Sequence, residues 1–298
     1  MVSLSSAGGS PARSLAAALE PIAGQVHFSP ECHANYAALG FGPSSGTIGL
    51  TQLPDRCAYF TSRGSVLGQV PGEVVAAAFA VFNPREVVAM VARGWELTDA
   101  ATIRAARQHG AVGQLGRILG PDPAGAGPTA DLLLRAIEPL SLAGRPLFAG
   151  QRAGDVPQDP LARLWRGADT LREFRGDSHT IAWVSAGFDA IEIGLLSDLF
   201  WGLVLRSHTS GRGWSADQLA EGEERLRRRG LLVGDELSAT GWQQRSAIEA
   251  HTDAQLAPAI EALGDELANV IKTLEPWGNA IRTAGGYLSP AVRFTTAG

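Results

Sequence analysis

Between Ser215 and Leu256 the chain switches from helical to strand periodicity and back. Ser215 is an N-cap candidate, residues 216–229 read as a helix, and Gly230 can end it. Segments 231–233 and 236–238 then flank Gly234-Asp235, a dipeptide suited to a tight hairpin turn. Residues 240–256 are helical again. This order points to a mostly helical fold. The Gly-rich spots Gly40-Phe41-Gly42 and Gly125-Ala126-Gly127 neither follow a strand nor open a βαβ unit, so no Rossmann or P-loop site is expected. No G-x-S-x-G elbow occurs, and no Ser or Cys nucleophile has a recognisable His context.

Elsewhere apolar residues recur at helical spacing. Leu15, Ala18, Leu19 and Ile22 make a first stripe over 13–22. Ser29 and Pro30 look like the N-cap and first turn of a helix over 30–39, ended by Gly40. Residues 42–49 are expected to be a loop. Helices are expected over 72–80, 84–92, 100–119 and 129–142. Segments 120–127 and 150–159 have linker composition. We therefore expect an N-terminal domain over 1–150 and a C-terminal domain over 151–298. Residues 1–12 are small and polar and expected to fray.

In the second half, Leu161, Leu164, Trp165, Ala168 and Leu171 form an apolar stripe. Gly176 can end that helix, with Asp177 or Ser178 capping a buried helix over 180–205. That segment is the most membrane-like, but Asp189, Glu192 and Asp198 interrupt it, so a buried helix of a soluble, cytoplasmic protein is the expectation. There is no basic n-region with a long apolar core at the N-terminus. Two cysteines, Cys32 and Cys57, are too few for a disulfide framework.

The octet Arg172-Glu173-Phe174-Arg175-Gly176-Asp177-Ser178-His179 carries five ionisable side chains, in a chain only 18% charged. If a new helix starts there, free backbone N–H groups and two arginines can hold a carboxylate, phosphate or phenolate. His179 can then act as acid or base, oriented by Asp177 or Glu173. The competing reading is structural: Asp177 caps, Arg172 and Arg175 pair with acids of the other half, and His179 is a half-buried polar residue. A second group is His27, Glu31, Cys32 and His33. His27 and Glu31 are i, i+4, a spacing for two metal ligands on a continuous helix, but Pro30 interrupts it. A haem ligand or single base at His27 is the other functional reading, and simple packing at the helix entry the structural one. Tyr59, Arg63 and Asn83 can join a polar pocket or merely cap and solvate. Asp189 and Glu192 need partners if buried, and the arginines at 172 and 175 are the nearest in sequence.

The order of Leu226, Arg229, Gly230, Leu231, Leu232, Leu237, Thr240, Gly241 and Thr252-Asp253 resembles the C-terminal part of MarR-type regulators. The resemblance implies a winged helix. Over nearly its whole length the chain is similar to an actinobacterial helix-turn-helix family of uncertain function. The residues that carry this are Phe28-Ser29-Pro30-Glu31, Tyr59-Phe60 with Arg63, Leu67-Gly68, Glu73-Val74-Val75, Phe82-Asn83-Pro84, and Leu171-Arg172-Glu173 with Arg175-Gly176-Asp177 and His179. Members of that family usually carry Tyr or another residue where His27 stands. The two short helices at 72–80 and 84–92 are compatible with a second, degenerate winged-helix unit.

DNA binding is disfavoured by charge. The net charge is -5. The helix that would read the groove carries Asp217, Glu221, Glu223 and Glu224 in its first turns, and the hairpin carries Asp235 and Glu236 where phosphates would lie. Residues 225–229 supply arginines only in the last turn, where they suit the helix dipole and i, i+4 pairs. The expectation is a winged-helix scaffold, monomer or homodimer, that has lost DNA binding. It would bind a small molecule, without a cofactor, through Arg63, Arg172, Arg175, Tyr59 and Asn83, with His27, Glu31, Asp177 and His179 as acid–base groups. The alternatives are a ligand-responsive regulator and a metal or haem protein using His27, with His179 as the other candidate ligand.

Overall fold

The protein is described by a computed structural model over residues 9–288, and these are mostly helical. The first helices are α1 (Pro11–Gly24), α2 (Pro30–Ala38), α3 (Arg56–Gly64), α4 (Gly72–Phe79) and α5 (Pro84–Leu97). A two-stranded antiparallel ribbon, β1 (Gly46–Ile48) and β2 (Thr51–Leu53), precedes α3. Then come α6 (Ala100–Leu119), α7 (Ala126–Ile137), α8 (Pro146–Arg152) and α9 (Pro160–Ser185). The chain continues through α10 (Ala190–Phe200), α11 (Ala216–Arg228), the hairpin β3 (Leu232–Val233) and β4 (Glu236–Leu237), α12 (Ala239–Ala254), α13 (Ala257–Leu263) and α14 (Leu267–Thr283). Helix starts follow local chemistry. Ser10, Ser29, Asp55, Asn83, Asp99, Asp159, Ser215 and Ser238 each accept a backbone N–H of the turn they cap.

α9 organises the molecule, packing against α1, α6, α7, α8 and α12. One core contains Leu15, Ile22, Ile103, Leu115, Leu133, Trp165 and Leu274, residues from both sides of position 150. A second surrounds α10, α11, the hairpin and α12 through Leu195, Leu196, Leu219, Leu226 and Ile248. A third joins α3, α4, α5 and α8 through Phe60, Val75, Phe79, Phe82, Val91 and Leu147.

Four sequence expectations are corrected here. Gly176 does not end a helix, because α9 runs unbroken from Asp159's cap to Ser185. Phe174, Asp177 and Ser178 are buried on either side of it, and that packing outweighs a glycine penalty of about 1 kcal/mol. The 180–205 segment is not one helix. It breaks after Ser185, with Gly187 at φ 74°, and α10 leaves at 111° to α9. Asp189 and Glu192 do not sit inside an apolar helix. They form the capping box that opens α10, and their ionic partners are Arg225 and Arg229, not Arg172 or Arg175. The loop expected over 42–49 also contains β1. No single helix among the described residues is long and apolar enough to cross a membrane.

Candidate functional site

Because α9 is continuous, the charged octet is not a helix N-terminus and offers no free N–H groups. Its side chains divide by helical register. Asp169, Glu173 and Asp177 follow at i, i+4, i+8 and line one buried stripe. Arg172, Arg175 and His179 occupy a neighbouring face.

At the first stripe Asp169 receives two hydrogen bonds from Arg107, at 2.6 and 3.1 Å, and one from Gln151. Glu173 receives Nε and Nη2 of Arg63 at 2.8 and 2.7 Å and Nη1 of Arg172 at 3.4 Å. Burial alone would raise Glu173, but the charge and hydrogen bonds of Arg63, with Arg172 behind them, hold its carboxyl down at about 2. Asp177 accepts the backbone N–H of Phe148 at 2.9 Å. It thereby caps α8 from a neighbouring helix, since α8's own N-cap residue, Arg145, supplies no side-chain cap. Burial pushes Asp177 up to about 7 despite that bond.

The second face leads away. Arg175 donates to Glu249 and, at 3.1 Å, to Asp253, while Arg245 donates to Glu249 at 2.7 Å. His179 Nδ1 lies 3.1 Å from Thr252 Oγ1. Burial, with Arg245 adding to it, lowers His179 to about 4. Arg175 and His179 therefore help lock α9 to α12. They are not brought to His27.

Around Arg63 and Arg172 the molecule does assemble a cluster. His27 ends a 3-10 turn between α1 and α2. Its carbonyl is held at 2.9 Å by His33 Nε2. The His27 ring is 7% exposed and meets Tyr59 edge-on, with centroids 4.9 Å apart. His27 Nε2 is buried with no hydrogen-bond partner among the described residues. Burial first, then the charges of Arg172, Arg107 and Arg63, push its pKa well below the usual imidazole value, so the ring is neutral. Arg63, one turn after Tyr59 on α3, donates to the Tyr59 hydroxyl at 3.3 Å and lies 4.6 Å over the Phe79 ring. Arg172 also donates to Glu20, which accepts the Tyr287 hydroxyl at 2.7 Å. Phe60, Phe79 and Phe82 complete an aromatic wall around Tyr59.

Of the other sequence candidates, Glu31 pairs with Arg117 of α6, and Asn83 caps α5 while bonding the loop that carries Arg212. No group of three or more His, Cys, Asp or Glu side chains suited to a metal ion occurs among the described residues. The expected pair His27 and His179 is divided between two different surroundings. Sequence reasoning missed Arg212, Glu20 and Arg107. Arg212 stands in a polar run, Ser207 to Gly213, that reads only as a turn. Two surface hollows lie elsewhere. One, of about 540 Å³, is lined by Ala12, Arg13, Asp253 and Ile260, and the other, of about 460 Å³, by Leu199, Val204, Glu223 and Asp235.

Comparison with curated proteins and with solved structures found no match for this chain. Comparison with protein families did, and the match takes in α1 to α14 and every residue of the cluster. The chain belongs to a helix-turn-helix family, whose model matches residues 12–288.

Proposed function

We propose that this protein binds a small organic molecule at the cluster of His27, Tyr59, Arg63 and Arg172, and that it is an enzyme in which neutral His27 accepts or shares a proton. The observation that carries this is the buried, unpartnered Nε2 of His27. A buried polar atom without a hydrogen bond costs about 1–3 kcal/mol, and such atoms call for a reason. A neutral imidazole among cations is a base that stays deprotonated near neutral pH. The arginines behind it, paired with Glu173 and Glu20, fix the geometry of the cluster. Isomerisation, cyclisation, hydrolysis or elimination without a cofactor fits these groups.

The scaffold in this reading is a winged helix of the MarR type, made of α10, α11, the β3–β4 hairpin and α12. α4 and α5 are the remnant of a second unit. Regulation through DNA is disfavoured by α11, whose arginines are committed. Arg225 pairs with Asp189 and Glu192, Arg227 with Glu223 and Asp235, and Arg229 with Glu192.

The test is His27→Phe, which keeps a planar ring against Tyr59 and removes the nitrogen. Thermal unfolding is followed against a panel of small organic acids and phenols. A compound that raises the Tm of the wild type and not of the variant supports the reading. Identical responses of the two proteins across the panel overturn it.

A further inference from the structure

Three cations surround the cluster: Arg63 and Arg172, and Arg212 on the Tyr59 side. The first two are in ion pairs with Glu173 and Glu20. Arg212 has no hydrogen bond or ion pair from its side chain to any described residue. Its guanidinium lies 4.5 Å over the Phe82 ring, and Phe82 lies 5.8 Å from Tyr59. Burial lowers its pKa, and the nearby charges include Arg63, Asp198 and Arg172. The acid among them, Asp198, spends Oδ2 on the backbone N–H and hydroxyl of Thr209, at 3.2 and 2.7 Å. It makes no ion pair with Arg212.

The segment that presents Arg212 is built with care. A 3-10 turn, Thr209–Arg212, is bounded by Arg206 at φ 72° and Gly213 at φ 82°. The left-handed conformation at Arg206 is strained for a residue with a Cβ. Asn83 holds the far end twice. Its backbone N–H donates to the Arg212 carbonyl at 2.9 Å and its amide to the Gly213 carbonyl at 2.8 Å. Arg56 Nη1 donates to the Gly211 carbonyl at 2.8 Å, and Trp214 Nε1 to the Val81 carbonyl at 3.1 Å. The strap thus ties α3 and α5 to the segment before α11, and it delivers one uncommitted guanidinium to an aromatic wall.

We propose that Arg212 is the anion-binding residue of the His27 site, and that the ligand class is a planar aromatic carboxylate. This rests on the reading of the His27 cluster as a ligand site. A guanidinium presents paired donors that match the two oxygens of a carboxylate. Phe82, Phe79 and Tyr59 give the ring of such a ligand apolar and edge contacts. One uncommitted cation calls for one negative charge, which favours a monocarboxylate over phosphate. With its carboxylate on Arg212, the body of the ligand extends along Tyr59 towards His27. Because Arg212 covers Phe82, binding moves the guanidinium off that ring.

The experiment is calorimetric titration of the full-length protein with benzoate, salicylate and inorganic phosphate. It is repeated on Arg212→Gln and Arg212→Lys and on an Arg85→Gln control, because Arg85 lies outside the cluster. The NMR signals of the His27 ring, followed in the same titrations, report independently whether the site is occupied. The expected result is that an aromatic carboxylate binds the wild type and shifts the His27 ring signals. Arg212→Gln should weaken binding about tenfold or more, the scale of a lost charge-assisted hydrogen bond. Arg212→Lys should recover part of it, and Arg85→Gln should bind as the wild type does. Binding that shifts the His27 ring signals but is unchanged in Arg212→Gln overturns the assignment of Arg212 and leaves the His27 site standing. Tighter binding of phosphate than of either carboxylate overturns the ligand class. If none of the three probes binds or shifts the His27 ring signals, the aromatic-carboxylate proposal fails, while a response of the wild type but not His27→Phe to another panel compound still preserves the wider reading.

Discussion

Replacing Glu173 by Gln would leave Arg63 and Arg172 without their common counter-charge in a buried setting. Removing one partner of such a pair typically costs about 3–5 kcal/mol, and urea unfolding of Glu173→Gln measures it. The pH dependence has a definite sign. The folded carboxyl sits at about 2, below its ordinary 4.5, so its contribution is complete above 4.5 and is lost as pH falls towards 2. Asp177 behaves in the opposite way. Its folded value of about 7 lies above the ordinary 3.8, so its contribution is complete below 3.8 and is lost as pH rises through 7. Asp177→Asn keeps an oxygen for the Phe148 N–H and removes the charge. It should stabilise the protein at pH 8 by on the order of 2 kcal/mol and flatten the stability profile between pH 4 and 7. A variant less stable than the wild type at pH 8 would contradict this. At this scale the sequence singled out Arg63, Tyr59, Arg172 and His27, all of which meet in space. It did not disclose that Arg172 and Arg175, three residues apart, serve different neighbours. Which neighbour each meets depends on how α1 and α12 flank α9, and local pattern does not contain that.

At the scale of elements, α2 lies against α6 at a glycine. A Cβ at Gly110 would stand 2.5 Å from the Sγ of Cys32 and 2.6 Å from both its Cα and its N, so backbone as well as side chain is in the way. The same contact carries the Ser29 hydroxyl, which donates to the Gly110 carbonyl at 3.3 Å just before α2 begins. Gly110→Ala should therefore cost about 1–3 kcal/mol or more through overpacking, despite alanine's higher helix propensity. It should also loosen the turn that sets His27. Thermal unfolding, with His27 chemical shifts as the local probe, checks both effects. The lettering of caps was legible at Ser29 and Ser215, because an N-cap is decided by four adjacent residues, whereas Asn83, taken as a ligand-binding candidate, caps α5. The end of α9 was not. Gly176 looks like a stop, but it lies on the exposed side of a helix whose other faces are buried. The real break falls at Gly187, where Asp189 and Glu192 cap each other's turn. Their pairing with Arg225 and Arg229 comes from the packing of α10 on α11, so sequence distance pointed to the wrong arginines.

For the whole molecule, the surface presented by α11 and the β3–β4 hairpin decides whether the helix-turn-helix ancestry still serves nucleic acid. Asp217, Glu221, Glu224, Asp235 and Glu236 are exposed there, and of the neighbouring arginines Arg228 is the most open, in a loose pair with Glu224 at 3.7 Å. The acids would approach phosphates, and the remaining arginines would have to leave ion pairs with Asp189, Glu192 and Glu223 before neutralising any. Association with DNA depends on phosphate neutralisation and counterion release, and this face supplies neither. The wild type should give no shift with its own upstream DNA at low or physiological salt. Reversing the exposed charges with Glu221→Lys, Glu224→Lys and Asp235→Lys frees Arg228, leaves Arg227 its pair with Glu223 alone, and adds three cations without touching the buried side of α11. That variant should bind duplex DNA weakly and without sequence preference. Each new phosphate contact should steepen the salt dependence by a slope of about 0.9 in log K against log salt. A salt-sensitive shift by the unmodified protein would show that its arginines exchange partners on DNA, and the regulator would then replace the enzyme as the better account of the scaffold.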